Sequence, residues 1–293
     1  MVVATRLETA NGLSSFLKAN VKTDASNSFF FFDFDRTLTN GYEFSENEKR
    51  APIEKRIRGG NETLTTLTEL FRHGAHFHII TARSAKTAVL DQLKASLKNS
   101  QNELEALFPT DGNGTVEEFH GINLAHVGSI YASGYQKEMA IAHSILHKSN
   151  LPEGPIRVFF FDDAVSNCHA VAENLHKLFK TPEEKEILDR IELSVCWWDP
   201  FREETEVDGE PTMIAVHSED TDFSYHDYLG NALKMFGVDE KERSRVESIY
   251  KAEEKKYGRK APSTLVEKPP EAKPLQNLDK KFANLGALFG PRG

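Results

Sequence analysis

The chain has 293 residues, of which 39% are hydrophobic and 28% charged, and its formal net charge at neutral pH is −9. This length accommodates one large domain with an extension, and the acidic balance argues against non-specific nucleic-acid binding. No apolar stretch approaches the roughly 20 residues of a membrane-spanning helix, and the first residues lack the apolar core of a secretory signal. The two cysteines give no disulfide framework. These features together predict a soluble, cytoplasmic protein.

The first predicted element is a strand at residues 29–32, where four phenylalanines follow one another. An apolar run without polar alternation is typical of a strand buried on both faces of a sheet. It ends at Asp33 and Asp35, which would lie at the carboxyl end of the strand, where open α/β sheets bind their ligands. Two carboxylates in one crevice repel each other unless a cation or a shared proton relieves them. The alternative interpretation is that these acids only end the strand.

Three later segments also place polar residues at the end of an apolar strand or at the start of an apolar-periodic helix. A strand at residues 75–80 ends at Thr81, an apolar-periodic helix begins near Lys137, and an apolar run at residues 158–161 ends in Asp162 and Asp163. Strands that alternate with helical patterns predict a parallel sheet with crossover helices. The polar groups would then share one edge of the sheet.

Such a set of side chains suits phosphoryl chemistry. Carboxylates are the hard oxygen ligands that Mg²⁺ prefers, and a lysine neutralises phosphate charge. Threonine and the backbone N–H groups that follow it can bind phosphate oxygens. One carboxylate can attack phosphorus to form an acyl phosphate, while a second carboxyl group protonates the leaving oxygen and later deprotonates water.

In this order, the four segments resemble the four motifs of the haloacid dehalogenase (HAD) superfamily, in its phosphatase branch. The resemblance covers about residues 29–197. The first motif matches residues 33–38, the second residues 79–81, the third Lys137, and the fourth residues 162–163. It implies a Rossmann-like parallel sheet flanked by helices and the Mg²⁺-dependent hydrolysis of phosphomonoesters.

The resemblance also implies a role for each matching residue. Asp33 is the nucleophile and Asp35 the general acid and base. Thr81, Ala82 and Lys137 hold the phosphoryl group. Asp33, the backbone carbonyl of Asp35, and Asp162 bind Mg²⁺, with Asp163 close by or acting through water. Arg36 stands where many members have glycine, at a position that faces away from the metal in the family.

The spacing between motifs bears on the substrate. In the family, large cap domains enter after the first motif or between the second and third, and here residues 39–60 and 84–135 are too short for a large cap. A small-cap or capless site accepts bulky substrates, which favours a phosphoprotein, with phosphotyrosine preferred. Alternatives are a small metabolite or a nucleic-acid end as substrate, or a non-catalytic binding module on the same fold. Retention of both Asp33 and Asp35 favours catalysis.

The composition changes toward the C-terminus. We predict a catalytic domain at residues 1–218, a helical extension at 219–258 and a disordered, Pro/Lys-rich tail at 259–293. From residue 251 onward there are ten Lys and Arg against five Asp and Glu. The last apolar residues are spaced as in a short amphipathic helix, which would dock on a protein or a membrane surface; the other interpretation is a frayed tail. Action in the protein's own cytoplasm or after delivery into another cell is left open.

Three other patterns compete for a functional interpretation. Cys196 and Arg202 have the C-x5-R spacing of cysteine-dependent phosphatases, but the two tryptophans, aspartate and proline between them disfavour a phosphate loop, so Cys196 is predicted to be a buried strand residue. His73, His76 and His78 are close in sequence, and His76 and His78 share a strand face, but no cysteine or fourth histidine lies nearby at ligand spacing, so they are predicted to be ordinary surface or helix-end residues. Asn167 is a candidate for a hydrogen bond to the metal shell.

Overall fold

The computed structural model describes residues 2–9, 11–21, 24–39, 56–98, 103–151, 153–198, 204–207, 210–213, 226–245 and 248. Its strands are β1 (Val2–Leu7), β2 (Ser28–Phe32), β3 (His76–Thr81), β4 (Thr115–Phe119), β5 (Ile122–Val127), β6 (Ile130–Ala132), β7 (Ile156–Asp162), β8 (Ile191–Trp198), β9 (Glu204–Val207) and β10 (Glu210–Met213). Its helices are α1 (Gly12–Asn20), α2 (Gly60–Arg72), α3 (Thr87–Ser96), α4 (Glu103–Leu107), α5 (Lys137–Leu146), α6 (Val165–Asn174), α7 (Pro182–Asp189) and α8 (His226–Met235).

Eight strands form one sheet in the order β1-β8-β7-β2-β3-β6-β5-β4. The pairs from β1 to β6 are parallel, and β6, β5 and β4 pair antiparallel at one edge. The chain passes from β2 to β3 on one side and later returns to β7 on the other side of β2. Ligands of open α/β sheets bind in the crevice at such a reversal. The protein is therefore an α/β protein with a mostly parallel sheet, compatible with the predicted Rossmann-like fold.

The phenylalanine run lies at the centre of this sheet and is buried on both faces, as predicted. Phe30 and Phe32 belong to the core under α1 to α4, and Phe29 and Phe31 belong to the core under α5 to α8. The rings of Phe30 and Phe32 stack on Phe159 and Phe161 of β7, with centroids 4.8 and 4.9 Å apart. Burying each phenylalanine stabilises the fold by roughly 1.5–3 kcal/mol. This packing fixes the strand ends that carry the acids.

The interval between β3 and α5 extends the main sheet. It contains α3, α4 and the β4–β5–β6 meander, whose strands pair with the edge of the large sheet. Within its described residues, 84–98 and 103–135, no separate cap domain is present. The other predicted cap position falls mostly on residues 40–55, which lie outside the described residues.

Sequence reasoning missed β1, α1 and α7. The start of α7 carries a capping box, in which the Thr181 hydroxyl accepts from the Glu184 N–H at 3.2 Å and the Glu184 carboxylate accepts from the Thr181 N–H at 3.0 Å. Pro182 occupies the first turn, where its missing N–H costs nothing. The Thr-Pro-Glu-Glu sequence was thus a readable helix start.

The C-terminal helices contact the same core. Leu233 on α8 is fully buried, and the ring of Phe236 meets Trp197 of β8 edge-on, with centroids 5.7 Å apart. Glu242, in the helical residues 240–245, pairs with Arg6 of β1 at 3.0 Å. The predicted boundary at 218 and the tail at 259–293 lie outside the described residues. Among the helices that are described, none is long and apolar enough to cross a membrane.

A half-buried histidine, His78, makes the fold sensitive to acid. The ring of His78 stacks on Phe31, with centroids 4.6 Å apart, and its Nε2 lies 2.9 Å from the Ser144 hydroxyl. Burial, with the charges of His76 and Lys148, lowers the pKa of His78 from 6.5 to about 3. The unfolded chain takes up this proton near pH 6.5 and the folded chain does not, so the stability present at neutral pH falls as the pH drops.

The contribution of His78 to the free energy of unfolding should decrease by about 2 kcal/mol as the pH falls from 7 to 5. The substitution His78→Gln keeps a hydrogen-bonding group for Ser144 and cannot titrate, so it should flatten that part of the dependence in urea unfolding. His73→Gln, at an exposed position, is the control. Equal slopes for wild type and His78→Gln would contradict the prediction.

Candidate functional site

The carboxylates at the ends of β2 and β7 meet at the chain reversal. Phe32 pairs with Phe161 across these strands, and the Asp33 N–H donates to the Phe161 carbonyl at 2.9 Å. One oxygen each of Asp33, Asp162 and Asp163 lies within 4.8 Å of the others. Three of the four predicted metal-binding residues are therefore brought together.

Lys137 lies between two of these acids. It is the first residue of α5 and is fully buried. Its Nζ contacts Asp33 Oδ1 directly and lies 2.8 Å from Asp162 Oδ2. Burial by itself would lower the pKa of Lys137, but the charges of Asp162 and Asp33 outweigh it and raise that pKa above the ordinary value. The side chain is therefore a charged ammonium group, stabilised by its two partners.

One ammonium does not neutralise the acids around it. Burial raises the pKa of Asp33 well above its ordinary value, and repulsion from Asp162 and Asp163 acts in the same direction, while Lys137 opposes both. Burial likewise raises the pKa of Asp162. Surplus negative charge on a set of hard oxygen ligands fits a divalent cation, because the cation relieves the repulsion and accepts those donors.

Two groups at the start of α6 orient Asp162. Its Oδ1 accepts from the Ala164 N–H at 2.8 Å. The Asn167 side-chain amide donates to both carboxylate oxygens, at 3.2 and 3.1 Å. Asn167 thus contacts a candidate ligand, as the sequence suggested.

A tight turn follows Asp33 and ties β2 to β7. The Leu38 N–H donates to the Asp33 carbonyl at 3.1 Å. Thr37 Oγ1 accepts from the Asp163 N–H at 2.8 Å and lies 3.3 Å from Asp163 Oδ1. Thr37 was not predicted as a site residue, although it lies within the first motif. From the turn that follows β2, it holds Asp163 in place.

Arg36 corrects one expectation. Its φ of 65° and ψ of 0° are left-handed, a conformation that costs a non-glycine residue about 1–2 kcal/mol, which gives a reason for glycine at this position in the resembling family. Its side chain is buried, and its Nε lies 3.4 Å from Asp163 Oδ2. The expectation that Arg36 faces away from the acids that would bind the metal is therefore wrong. Arg58 supports this turn by donating to the carbonyls of Arg36 and Trp198, both at 3.0 Å.

Asp35 is held by an arginine that sequence reasoning did not select. Arg83 Nη2 and Nε donate to Asp35 Oδ2 at 2.7 and 3.1 Å. Burial raises the pKa of Asp35, and Arg83 opposes that shift. A raised pKa suits a carboxyl group that gives and takes protons near neutral pH. The available signal was a basic residue two positions after Thr81, just past the end of β3, the strand beside β2.

Thr81 and Ala82 lie at the same edge of the sheet. Thr81 is the buried last residue of β3, and its hydroxyl accepts from the Arg83 N–H at 3.3 Å. The preceding carbonyl, of Ile80, accepts from Lys137 Nζ at 3.4 Å. This contact places the end of β3 beside the lysine. Phosphate binding by Thr81 and Ala82 stays a prediction.

The competing cysteine mechanism has no support in the structure. Cys196 is fully buried in β8, as predicted. Burial raises the pKa of its thiol well above the ordinary value, which is opposite to what a thiolate nucleophile needs. Arg202 lies outside the described residues.

The histidines of β3 bind protein groups. His76 Nε2 lies 3.1 Å from the Ser26 carbonyl, and His78 contacts Ser144. Neither belongs to a metal-capable cluster of the described residues.

Comparison with known proteins adds no family assignment. No protein-family model matches the chain, and neither the curated proteins nor the solved structures compared with it give a match. Asp33, Asp162, Asp163 and Lys137 together form the acidic centre of this protein.

Proposed function

We propose that this protein is a magnesium-dependent phosphatase of the HAD type that hydrolyses phosphomonoesters through an aspartyl-phosphate intermediate. The observation that carries the proposal is the buried Lys137, which pairs at once with Asp33 and Asp162 at the ends of neighbouring parallel strands. We include α8 and the helical residues 240–245 as a C-terminal extension of the catalytic domain.

The acidic residues have a defined task in this proposal. Asp33, Asp162 and Asp163 would hold Mg²⁺ together with the backbone carbonyl of Asp35. When bound, the ion offsets the repulsion between an anionic nucleophile and an anionic phosphoryl group. Lys137 contributes a fixed positive charge at the same place.

The reaction has two steps. In the first, a carboxylate oxygen of Asp33 attacks phosphorus, the bond from phosphorus to the ester oxygen breaks, and Asp35 donates its proton to that oxygen. In the second, water attacks the phosphorus of the acyl phosphate while Asp35 takes a proton from it. Inorganic phosphate leaves, and Asp33 is restored as a carboxylate.

The remaining residues position the reacting groups. Thr81 and Ala82 would bind phosphoryl oxygens through a hydroxyl and a backbone N–H. Arg83 holds Asp35 in position by two hydrogen bonds to one carboxylate oxygen. Thr37 and Arg36 hold Asp163 against the acidic centre.

We propose that the substrate is a phosphoprotein, with phosphotyrosine preferred, and that the enzyme acts in the cytoplasm. The interval between β3 and α5 is used to extend the sheet, and this arrangement favours an open crevice that a side chain on a protein surface can reach. The free, buried Cys168 and Cys196 are consistent with a reducing compartment.

Rates on peptides carrying phosphotyrosine, phosphoserine or phosphothreonine should rank tyrosine first. A higher kcat/KM for a small sugar phosphate would favour the metabolite alternative.

The mechanism is tested with a generic aryl phosphate. Wild-type protein should hydrolyse it with Mg²⁺, and chelation by EDTA should lower the rate by at least about tenfold, because the acidic centre is then uncompensated. Cys196→Ser should keep the wild-type rate per folded molecule. The proposal would be overturned if the rate of hydrolysis is unchanged by EDTA and hydrolysis is lost in Cys196→Ser.

A further inference from the structure

A second polar cluster lies on the antiparallel side of the sheet. Across β4 and β5, Thr115 pairs with His126, so Glu117, two residues further along, shares the face of His126. Helix α5 packs on this face and contributes His143, which is buried. His143 lies six residues after Lys137, or about 9 Å along the helix. The cluster of Glu117, His126 and His143 shares no residue with the acidic centre.

Its side chains converge on one carboxylate oxygen. Glu117 Oε1 lies 2.7 Å from His126 Nε2 and 2.5 Å from His143 Nε2. The one ligand atom from each residue lies within 4.8 Å of the others. The His143 side chain is 4% exposed, against 24% for His126 and 44% for Glu117. The cluster thus has a buried inner wall and an open mouth.

His143 Nε2 is the ligand atom on the most buried side chain of this cluster. This nitrogen is buried, and among the described residues no partner is aligned with it for a hydrogen bond, although Glu117 Oε1 is close. The other ring nitrogen, Nδ1, lies 3.4 Å from the Tyr131 hydroxyl. In the tautomer whose lone pair is on Nε2, that lone pair faces the carboxylate oxygen, and a cation between the two atoms would be bound by both.

The protonation state of His143 agrees with this geometry. Burial, with the charge of His147, lowers the pKa of His143 to about 4, although Glu117 opposes the shift. Its imidazole is therefore neutral near pH 7, the form that binds metal ions.

We propose that Glu117, His126 and His143 form a Zn²⁺ site. Two imidazole nitrogens and one carboxylate oxygen, with a fourth position open to water, form a site that binds Zn²⁺ in preference to Mg²⁺. In a tetrahedron with bonds of about 2.1 Å, ligand atoms lie about 3.4 Å apart, so the exposed Glu117 carboxylate moves outward by roughly 1 Å. The ion would join the β4–β5 hairpin to the helix that begins with Lys137.

Zinc binding is tested on untagged, full-length protein in excess Mg²⁺, which occupies the acidic centre. Metal content after equilibrium dialysis and the Tm are measured with and without Zn²⁺. Wild type should retain one Zn²⁺ per chain and show a higher Tm with Zn²⁺, because only the folded state holds the three ligands together. Glu117→Gln and His126→Gln should each weaken binding at least about tenfold and abolish the rise in Tm. His176→Gln, at an exposed histidine outside the cluster, should behave as wild type.

The proposal is overturned if wild type retains no Zn²⁺, or if both ligand variants bind it as tightly as wild type. Glu117 and His126 are partly exposed, so their substitutions leave the core intact, and circular dichroism verifies folding. Aryl phosphate hydrolysis with Mg²⁺ alone is assayed separately. A failure of the phosphatase proposal therefore leaves the zinc result interpretable, and the reverse also holds.

Discussion

Replacing Asp33 with asparagine should lower kcat for aryl phosphate hydrolysis by roughly 10⁴-fold or more, because a neutral amide does not replace a carboxylate nucleophile. Wild type quenched in acid during turnover should carry one covalent phosphoryl group, detected by intact mass, and Asp33→Asn should carry none. Steady-state rates with saturating Mg²⁺ give the magnitude.

The same substitution should leave the protein folded. Since burial raises the pKa of Asp33 well above its ordinary value, its ionised form opposes folding above the pH at which an unfolded aspartate ionises. Asparagine removes that charge, while Asp162 still pairs with Lys137. Asp111→Asn, at an exposed position, serves as the matched control and should keep full activity. If Asp33→Asn retains more than about 1% of the wild-type rate, Asp33 is not the nucleophile.

Replacing Lys137 with methionine should have the largest effect on stability. Methionine keeps an apolar stem of similar length but leaves Asp33 and Asp162 buried without their common partner. Loss of one member of a buried ion pair costs about 3–5 kcal/mol, which urea unfolding in EDTA measures. Hydrolysis should also be lost, because the fixed charge near the phosphoryl group is gone.

Two conditions should partly restore Lys137→Met. Burial raises the pKa of both carboxyl groups, so the cost is present above about pH 4, where unfolded carboxyl groups ionise, and falls away below it. Mg²⁺ should stabilise the variant at neutral pH by replacing the missing charge. Lys185→Met, at an exposed position of α7, is the control. An unchanged urea midpoint for Lys137→Met would show that this ion pair does not hold the strand ends together.

The sequence predicted the features that are local in the chain. The phenylalanine run reports burial on both faces without tertiary information, and the carboxylates at its end follow from the direction of a parallel strand. Edge strand β1 was not predicted because it lacks the apolar pattern of a buried strand. Its first residues, Val2 and Val3, are 48% and 43% exposed.

Contacts between distant segments could not be predicted in this way. Thr37 and Asp163 are 126 residues apart, and Arg83 reaches Asp35 only because β3 lies beside β2. The cluster of Glu117, His126 and His143 shows the same limit, since strand register joins Glu117 to His126, and helix packing adds a histidine from α5. Proximity in sequence instead drew attention to His76 and His78, which bind ordinary protein groups.

The central place of β2 has a consequence for dynamics. Its backbone is hydrogen-bonded to β3 on one side and to β7 on the other, so its amides should be among the slowest in the protein to exchange with solvent. Asp33 is thus anchored to the last region to unfold. Local fluctuations of edge strands and turns should therefore leave its position unchanged.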